Sequence, residues 1–209
     1  GVGREAFWAA TRAGKSGVAP IQYFDARGFP VRIGAEVKDF RAEVVVRDYR
    51  LFKYASRSHR FAFAAAEEAL ADAGIRPQPG TSERWGLSVG AGMMVVAFDE
   101  LQTVHTFCAR DGTFNADGLL DSRFPADPVG FCRTQTNSGL GLLARHFGIR
   151  GYATAVHTAC ASGGQALGTA LKVMRRGRAD FMLAGGFDSM LNPLGLSAFC
   201  LLGALSADN

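Results

Sequence analysis

Two apolar runs that read as strands, Tyr152 to Thr158 and Phe181 to Gly185, enclose one helical pattern, Gly163 to Arg176. Gly163, Gly164, Ala166, Gly168 and Ala170 give that helix a face of small residues, able to pack closely against its neighbours. The alternation extends upstream. FAFAAAEEALADAG belongs to an alanine-rich helical pattern over Ser56 to Ala73, with Gly74 as its C-terminal cap, and WGLSVGAG reads as a buried strand ending in glycines. Asn137 to Phe147 is helical again. Strands alternating with helices imply an α/β chain with a parallel or mostly parallel sheet and helices on both of its faces.

Other segments carry weaker patterns. Glu5 to Ala13 is a short helical stretch, and Ser16 to Phe40 reads as loop with brief extended pieces, broken at Pro20, Gly28 and Pro30. Met93 to Thr136 is polar, aromatic and irregular, too long for an ordinary connection, and is expected to be an insertion carrying function or a subunit contact. Arg47, Arg50, Lys53, Arg57 and Arg60 recur at three- and four-residue steps, which on a helix places several of them on one side. A solvated face and a docking face for an acidic partner both fit that spacing.

Composition removes several classes. The 209 residues, 48% hydrophobic with 26 glycines, suit one compact domain rather than a disordered chain. No apolar run is long enough to span a bilayer. The opening GVGREAFWAATRAGKSG lacks the layout of a secretory signal, so a cytoplasmic protein is expected, although a chain that starts without methionine and stops at SADN reads as a piece of something longer. Cys108, Cys132, Cys160 and Cys200 form no close pair, which argues against a disulfide framework or a zinc site, and His59, His105, His146 and His157 fit no metal spacing. A formal charge of +4 without a basic block gives no footprint for nucleic acid. AGKSG has Ala9 where a phosphate loop needs its first glycine, and SVGAGMMV has Val95 where a dinucleotide fingerprint needs its third.

Cys160 stands between the strand ending at Thr158 and the helix beginning at Gly163. The thiolate, not the thiol, is the nucleophile, and a helix N-terminus favours an anion through its unpaired N–H groups and dipole. A tight strand-to-helix turn also exposes the side chain and leaves the Cys160 N–H to hold a carbonyl oxygen as charge develops on it. On position alone, a small apolar filler is the commoner role for such a cysteine. His157 is near in sequence, but residues three apart on a strand point to opposite faces; it is expected to pack or cap rather than serve as the base of a Cys-His pair.

HTACASGGQALG, RRGRADFMLAGG and NPLGLSAFCLLGALS carry a more specific signal, together with the EAFWAATRAGKSGV opening, the FDARGFPVRIGAEVKDF loop and the SVGAG strand end. In this order they resemble the N-terminal half of the β-ketoacyl-acyl carrier protein synthases, the condensing enzymes of fatty acid and polyketide assembly, and most closely the elongating type II members. The resemblance runs from Gly1 to Asn209 as one domain. It implies a thiolase-like fold, of which this is the N-terminal half: a mixed five-stranded sheet between helices, short of its first strand, with a long insertion at about 93–136.

The resemblance also implies roles. Cys160 takes the acyl chain as a thioester. Gly92 and Met93 match the place where a gating residue meets the acyl tunnel, and Phe199 matches an aromatic lining it. Arg50 and Lys53 match basic residues that meet acyl carrier protein, whose phosphopantetheine arm brings the substrate; no cofactor or metal is expected in the chain itself. The strand before the nucleophile is expected to pair with its mate in a homodimer, or in a heterodimer with a related subunit, with the insertion at the same interface. The family's two enolate-stabilising histidines lie in the C-terminal half, so these 209 residues alone are not expected to condense anything. Two alternatives share the fold: a non-catalytic chain-length-factor partner, which usually replaces the cysteine, and a thiolase-like enzyme using free coenzyme A. Acyl chain length, and fatty acid against polyketide synthesis, stay open.

Overall fold

The computed structural model describes residues 1–42, 49–92 and 96–209; Arg47 and the expected gating residue Met93 lie outside the described residues. Helix α1 (Arg4–Arg12) precedes a small antiparallel pair, β1 (Val18–Pro20) with β2 (Ile33–Ala35). Helices α2 (Tyr49–Phe52) and α3 (Arg57–Ala73) lead to β3 (Trp85–Ala91). Then come α4 (Phe98–Cys108), the hairpin of β4 (Ala109–Arg110) and β5 (Thr113–Phe114), α5 (Pro128–Thr134) and α6 (Ser138–Phe147). The β-α-β unit read from the sequence follows as β6 (Ala153–Val156), α7 (Ser162–Arg175) and β7 (Phe181–Phe187), before α8 (Pro193–Leu201).

The main sheet has the order β6-β3-β7 and is parallel throughout. Its central strand works on two faces, as the period of two requires. Trp85, Leu87 and Val89 enter the core with Phe63 and Leu70 of α3 and Leu143 and Phe147 of α6. Ser88 and Gly90 face α7: the fully buried Ser88 hydroxyl donates to the Ala166 carbonyl at 2.9 Å, and a Cβ on Gly90 would stand 2.5 Å from the Gly163 nitrogen. The small-residue face of α7 is thereby put to use at Gly163, Ala166 and Ala170. Gly164 and Gly168 point the other way, into open space.

Helix α3 is held by its ends. Ser56, in extended conformation, accepts from the His59 N–H and donates its own N–H to His59 Nδ1 at 3.1 Å, a capping box with histidine in the place usually held by Glu or Gln. Gly74 closes the helix at φ 66. Burial pushes the His59 pKa down from 6.5 to about 4. The unfolded chain therefore takes up a proton near pH 6.5 that the folded chain resists until about pH 4. Stability should be full above pH 6.5, fall by on the order of 3 kcal/mol as the pH drops to 4, and level off below that. Urea unfolding across this window, alongside His59→Gln, checks it; a wild-type slope no steeper than the variant's would refute the assignment.

Three expectations change. The basic series does not share one helix, because the extended backbone at Ser56 that caps α3 separates it from the four-residue α2. The stretch from 96 to 136 is not irregular: Asp127 caps α5 with Pro128 at its start, Asn115 caps a 3-10 turn, and Asp111 and Gly112, both at positive φ, form a two-residue hairpin turn. Among the described residues the main sheet has three parallel strands rather than a mixed set drawn from five. The remaining short strands stay outside it because β1 with β2, and β4 with β5, satisfy each other in antiparallel pairs.

Candidate active site

The C-terminal ends of the three parallel strands deliver the candidate residues to one edge of the sheet. From β6 the chain passes through His157 and Thr158 into a 3-10 turn, Ala159–Ala161, and directly into α7. Ala159 adopts φ 51, a left-handed conformation that costs a non-glycine residue on the order of 1 kcal/mol. Cys160 sits at the crest of this turn with its side chain exposed.

Ser162 holds the turn in that shape. Only 4% exposed, its hydroxyl accepts from the Thr158 N–H and donates to the Ala159 carbonyl, both at 2.8 Å. The Thr158 hydroxyl meets Gln165 Oε1 at 3.0 Å, and the Ala161 N–H returns to the Thr158 carbonyl. No side chain caps α7; its first N–H, that of Ser162, donates to the Ala159 carbonyl instead. The Cys160 N–H donates to no backbone carbonyl among the described residues. Ser162→Ala would remove both hydrogen bonds of this buried hydroxyl and should lower stability by about 1–3 kcal/mol in denaturant unfolding. An unchanged midpoint would mean that the turn holds itself.

Glycine contacts seat this elbow on the sheet. Gly163 lies against Gly90 of β3 and Gly186 of β7, where a Cβ on Gly186 would come 3.1 Å from the Gly163 Cα. Two residues beyond Gly90, Gly92 has no room for a side chain because the Asp188 carboxylate fills that volume from the end of β7. Phe199 is half-buried on α8, which starts after the turn that leaves β7. Cys160, Gly92 and Phe199 thus hang from β6, β3 and β7 respectively.

Arg50 and Lys53 are exposed, on and just after α2. The Lys53 ammonium lies 4.8 Å from the Tyr54 ring centroid, and its carbonyl accepts from Arg133 Nε at 2.8 Å, tying this segment to α5. His157 is exposed and caps neither the 3-10 turn nor α7, contrary to the packed or capping role expected, because β6 ends at Val156 and the chain is already turning outward. Sequence reasoning passed over Ser162, Ser88 and Asp188. The serine two residues after the cysteine was the one legible signal, since Ser and Thr settle at turns and helix starts by bonding local backbone.

Among the described residues, no group of three or more His, Cys, Asp or Glu could hold a metal ion, and no helix is long and apolar enough to cross a membrane.

An exposed cysteine on a strained strand-to-helix turn, at the C-terminal edge of a parallel sheet, marks an α/β protein with its candidate site at the strand ends. The chain belongs to the β-ketoacyl synthase family: the model of the β-ketoacyl synthase N-terminal domain matches residues 1–209. It is similar to the tetracenomycin polyketide synthase ketoacyl synthase beta subunit of Streptomyces glaucescens, 36% identical over 99% of this chain and 47% of that protein. A 3-oxoacyl-[acyl-carrier-protein] synthase 2 of Coxiella burnetii is 31% identical over 97% of this chain and 46% of its own length. Among solved structures, the ishigamide ketosynthase/chain length factor superposes with a TM-score of 0.78 at 29% identity, over 100% of this chain and 49% of that one. The fold is accordingly the N-terminal half of a thiolase-like ketosynthase fold. The chain spans about half the length of the relatives it matches.

Proposed function

We propose that this chain is the nucleophile-bearing half of a β-ketoacyl-acyl carrier protein synthase, an acyltransferase that forms carbon–carbon bonds by decarboxylative condensation. One observation carries the reading: in a chain of this family, Cys160 stands exposed on an elbow held by Ser162, with an unengaged N–H of its own. In the first step the Cys160 sulfur attacks the thioester carbonyl of an acyl group on carrier protein, and the Cys160 N–H supports the developing oxyanion. The acyl–sulfur bond to the phosphopantetheine arm breaks, that thiol leaves with the proton, and the acyl group stays on Cys160. In the second step a malonyl group on carrier protein loses carbon dioxide. The resulting carbanion attacks the Cys160 thioester and releases the thiolate, with two histidines of the C-terminal half stabilising the enolate. Without them, these residues by themselves would acylate at most and would not condense.

Gly92, Met93 and Phe199 would line the acyl tunnel, and Arg50 and Lys53 would meet the acidic carrier protein. The β6 strand pairs with β3 alone among the described residues, which leaves an edge that another subunit could extend into a homodimer or heterodimer. The setting would be cytoplasmic. Incubating the full-length protein with acyl-carrier protein and mapping the adduct by mass spectrometry tests the reading: the acyl mass is expected on Cys160, and an unmodified Cys160 would overturn it.

A second reading, a non-catalytic partner subunit, draws support from the beta-subunit relative. It predicts no acyl adduct on Cys160 even when a catalytic partner is present, so the same experiment separates the two.

A further inference from the structure

At the start of α3 lies a partly open cavity of about 30 Å³, bordered by Ser58, His59, Arg133 and Thr136 and by the ends of β3 and β7 at Gly92 and Asp188. Its walls are mostly polar. An apolar cavity of this size stays dry, but a polar one that exceeds about 15 Å³ and offers two to four hydrogen-bonding partners holds a water molecule.

Two side chains aim unmatched hydrogen-bonding atoms at this space. His59 is 7% exposed, and its Nδ1 already accepts from the Ser56 N–H. In the neutral ring the proton must then sit on Nε2, which makes Nε2 a donor. No described residue accepts from Nε2, yet among the described residues no fully buried side-chain nitrogen or oxygen lacks a partner. Nε2 therefore opens onto free volume, and the cavity that His59 borders supplies it. Across the cavity, Asp188 Oδ1 accepts from the Ser189 N–H at 2.7 Å, while Oδ2 is the atom turned toward Gly92. A donor and an acceptor thus face one water-sized space.

We propose that this cavity is a resident water site, in which one water molecule accepts from His59 Nε2–H and donates to Asp188 Oδ2. Ser58 and Thr136 supply hydroxyls for its remaining bonds. The water joins the N-terminus of α3 to the end of β7 directly behind Gly92. It satisfies the Nε2–H of the neutral His59 ring and fills space between the helix and the sheet edge that carries Gly92. The site stands whether or not Gly92 borders an acyl tunnel.

A high-resolution crystal structure of the full-length protein should show a solvent peak within about 2.7–3.2 Å of both His59 Nε2 and Asp188 Oδ2. A dry cavity, or a protein group bonded directly to Nε2, would overturn the proposal. Asp188→Asn, which retains an acceptor oxygen, should keep the peak, and Asp188→Leu should lose it; a peak that survives Asp188→Leu unchanged would remove Asp188 from the site. Should either variant fail to fold, nitrogen NMR of histidine-labelled wild-type protein decides: an Nε2–H tautomer of His59 with magnetisation transfer from water supports the site, and an Nδ1–H tautomer sinks it.

Discussion

Cys160→Ala should abolish acyl loading, lowering the rate of transfer from carrier protein by at least about 10³-fold, because no other group in the turn offers a sulfur to the thioester. The fold should barely notice. The side chain is exposed, and the turn is held by Ser162, Thr158 and Gln165 rather than by the thiol, so unfolding should shift by no more than about 0.5 kcal/mol. Cys160→Ser keeps the shape but replaces a good nucleophile with a poor one, and should fail in the same way. Intact-protein mass spectrometry after incubation with acyl-carrier protein reads both. An adduct that persists in Cys160→Ala would move the chemistry elsewhere, with the exposed Cys132 the first place to look.

Gly90→Ala should damage both the fold and acyl loading. Its Cβ would stand 2.5 Å from the Gly163 nitrogen and 2.6 Å from the Ser162 oxygen, both backbone atoms that cannot rotate aside. Relief requires α7 to lift from β3 by roughly 1 Å, against the bond between Ser88 and Ala166 and the neighbouring contact of Gly163 with Gly186. Overpacking of this kind costs about 1–3 kcal/mol, and more where backbone meets backbone. The start of α7 carries the elbow, so Cys160 moves with it, and a displacement of about 1 Å can lower a rate about 100-fold. Gly141→Ala is the matching control: it lies on a helix with nothing within 4 Å of the added Cβ and should stabilise slightly. If Gly90→Ala matched the wild type in both acyl loading and denaturant midpoint, the seating of the elbow on glycines would be wrong.

Much of this was legible in the chain. The β-α-β unit around Cys160, the capped helix ending at Gly74 and the strand ending at Ala91 all carry strong local patterns, and the structure places them within a few residues of where the patterns fall. The insertion was less legible. Its helices and hairpin are short and partly exposed, with Phe114 and Phe131 facing outward, so no buried stripe marks their period. The Asp111-Gly112 turn is the exception, since Asp-Gly is itself a hairpin signal.

The sequence by itself determined the class of fold, the family and the position of the cysteine at a strand-to-helix junction, because these depend on residue types at short spacing. Only the tertiary structure decided what makes that junction an elbow. Ser162 bridging Thr158 and Ala159, Ala159 held at positive φ, and Gly163 pressed onto Gly90 and Gly186 unite residues that are either local but conformationally ambiguous or far apart in the chain. The same holds for Asp188 against Gly92 and for the neutral His59 ring at the start of α3. Local spacing records what a segment prefers, whereas close approach and burial depend on which other segment arrives beside it.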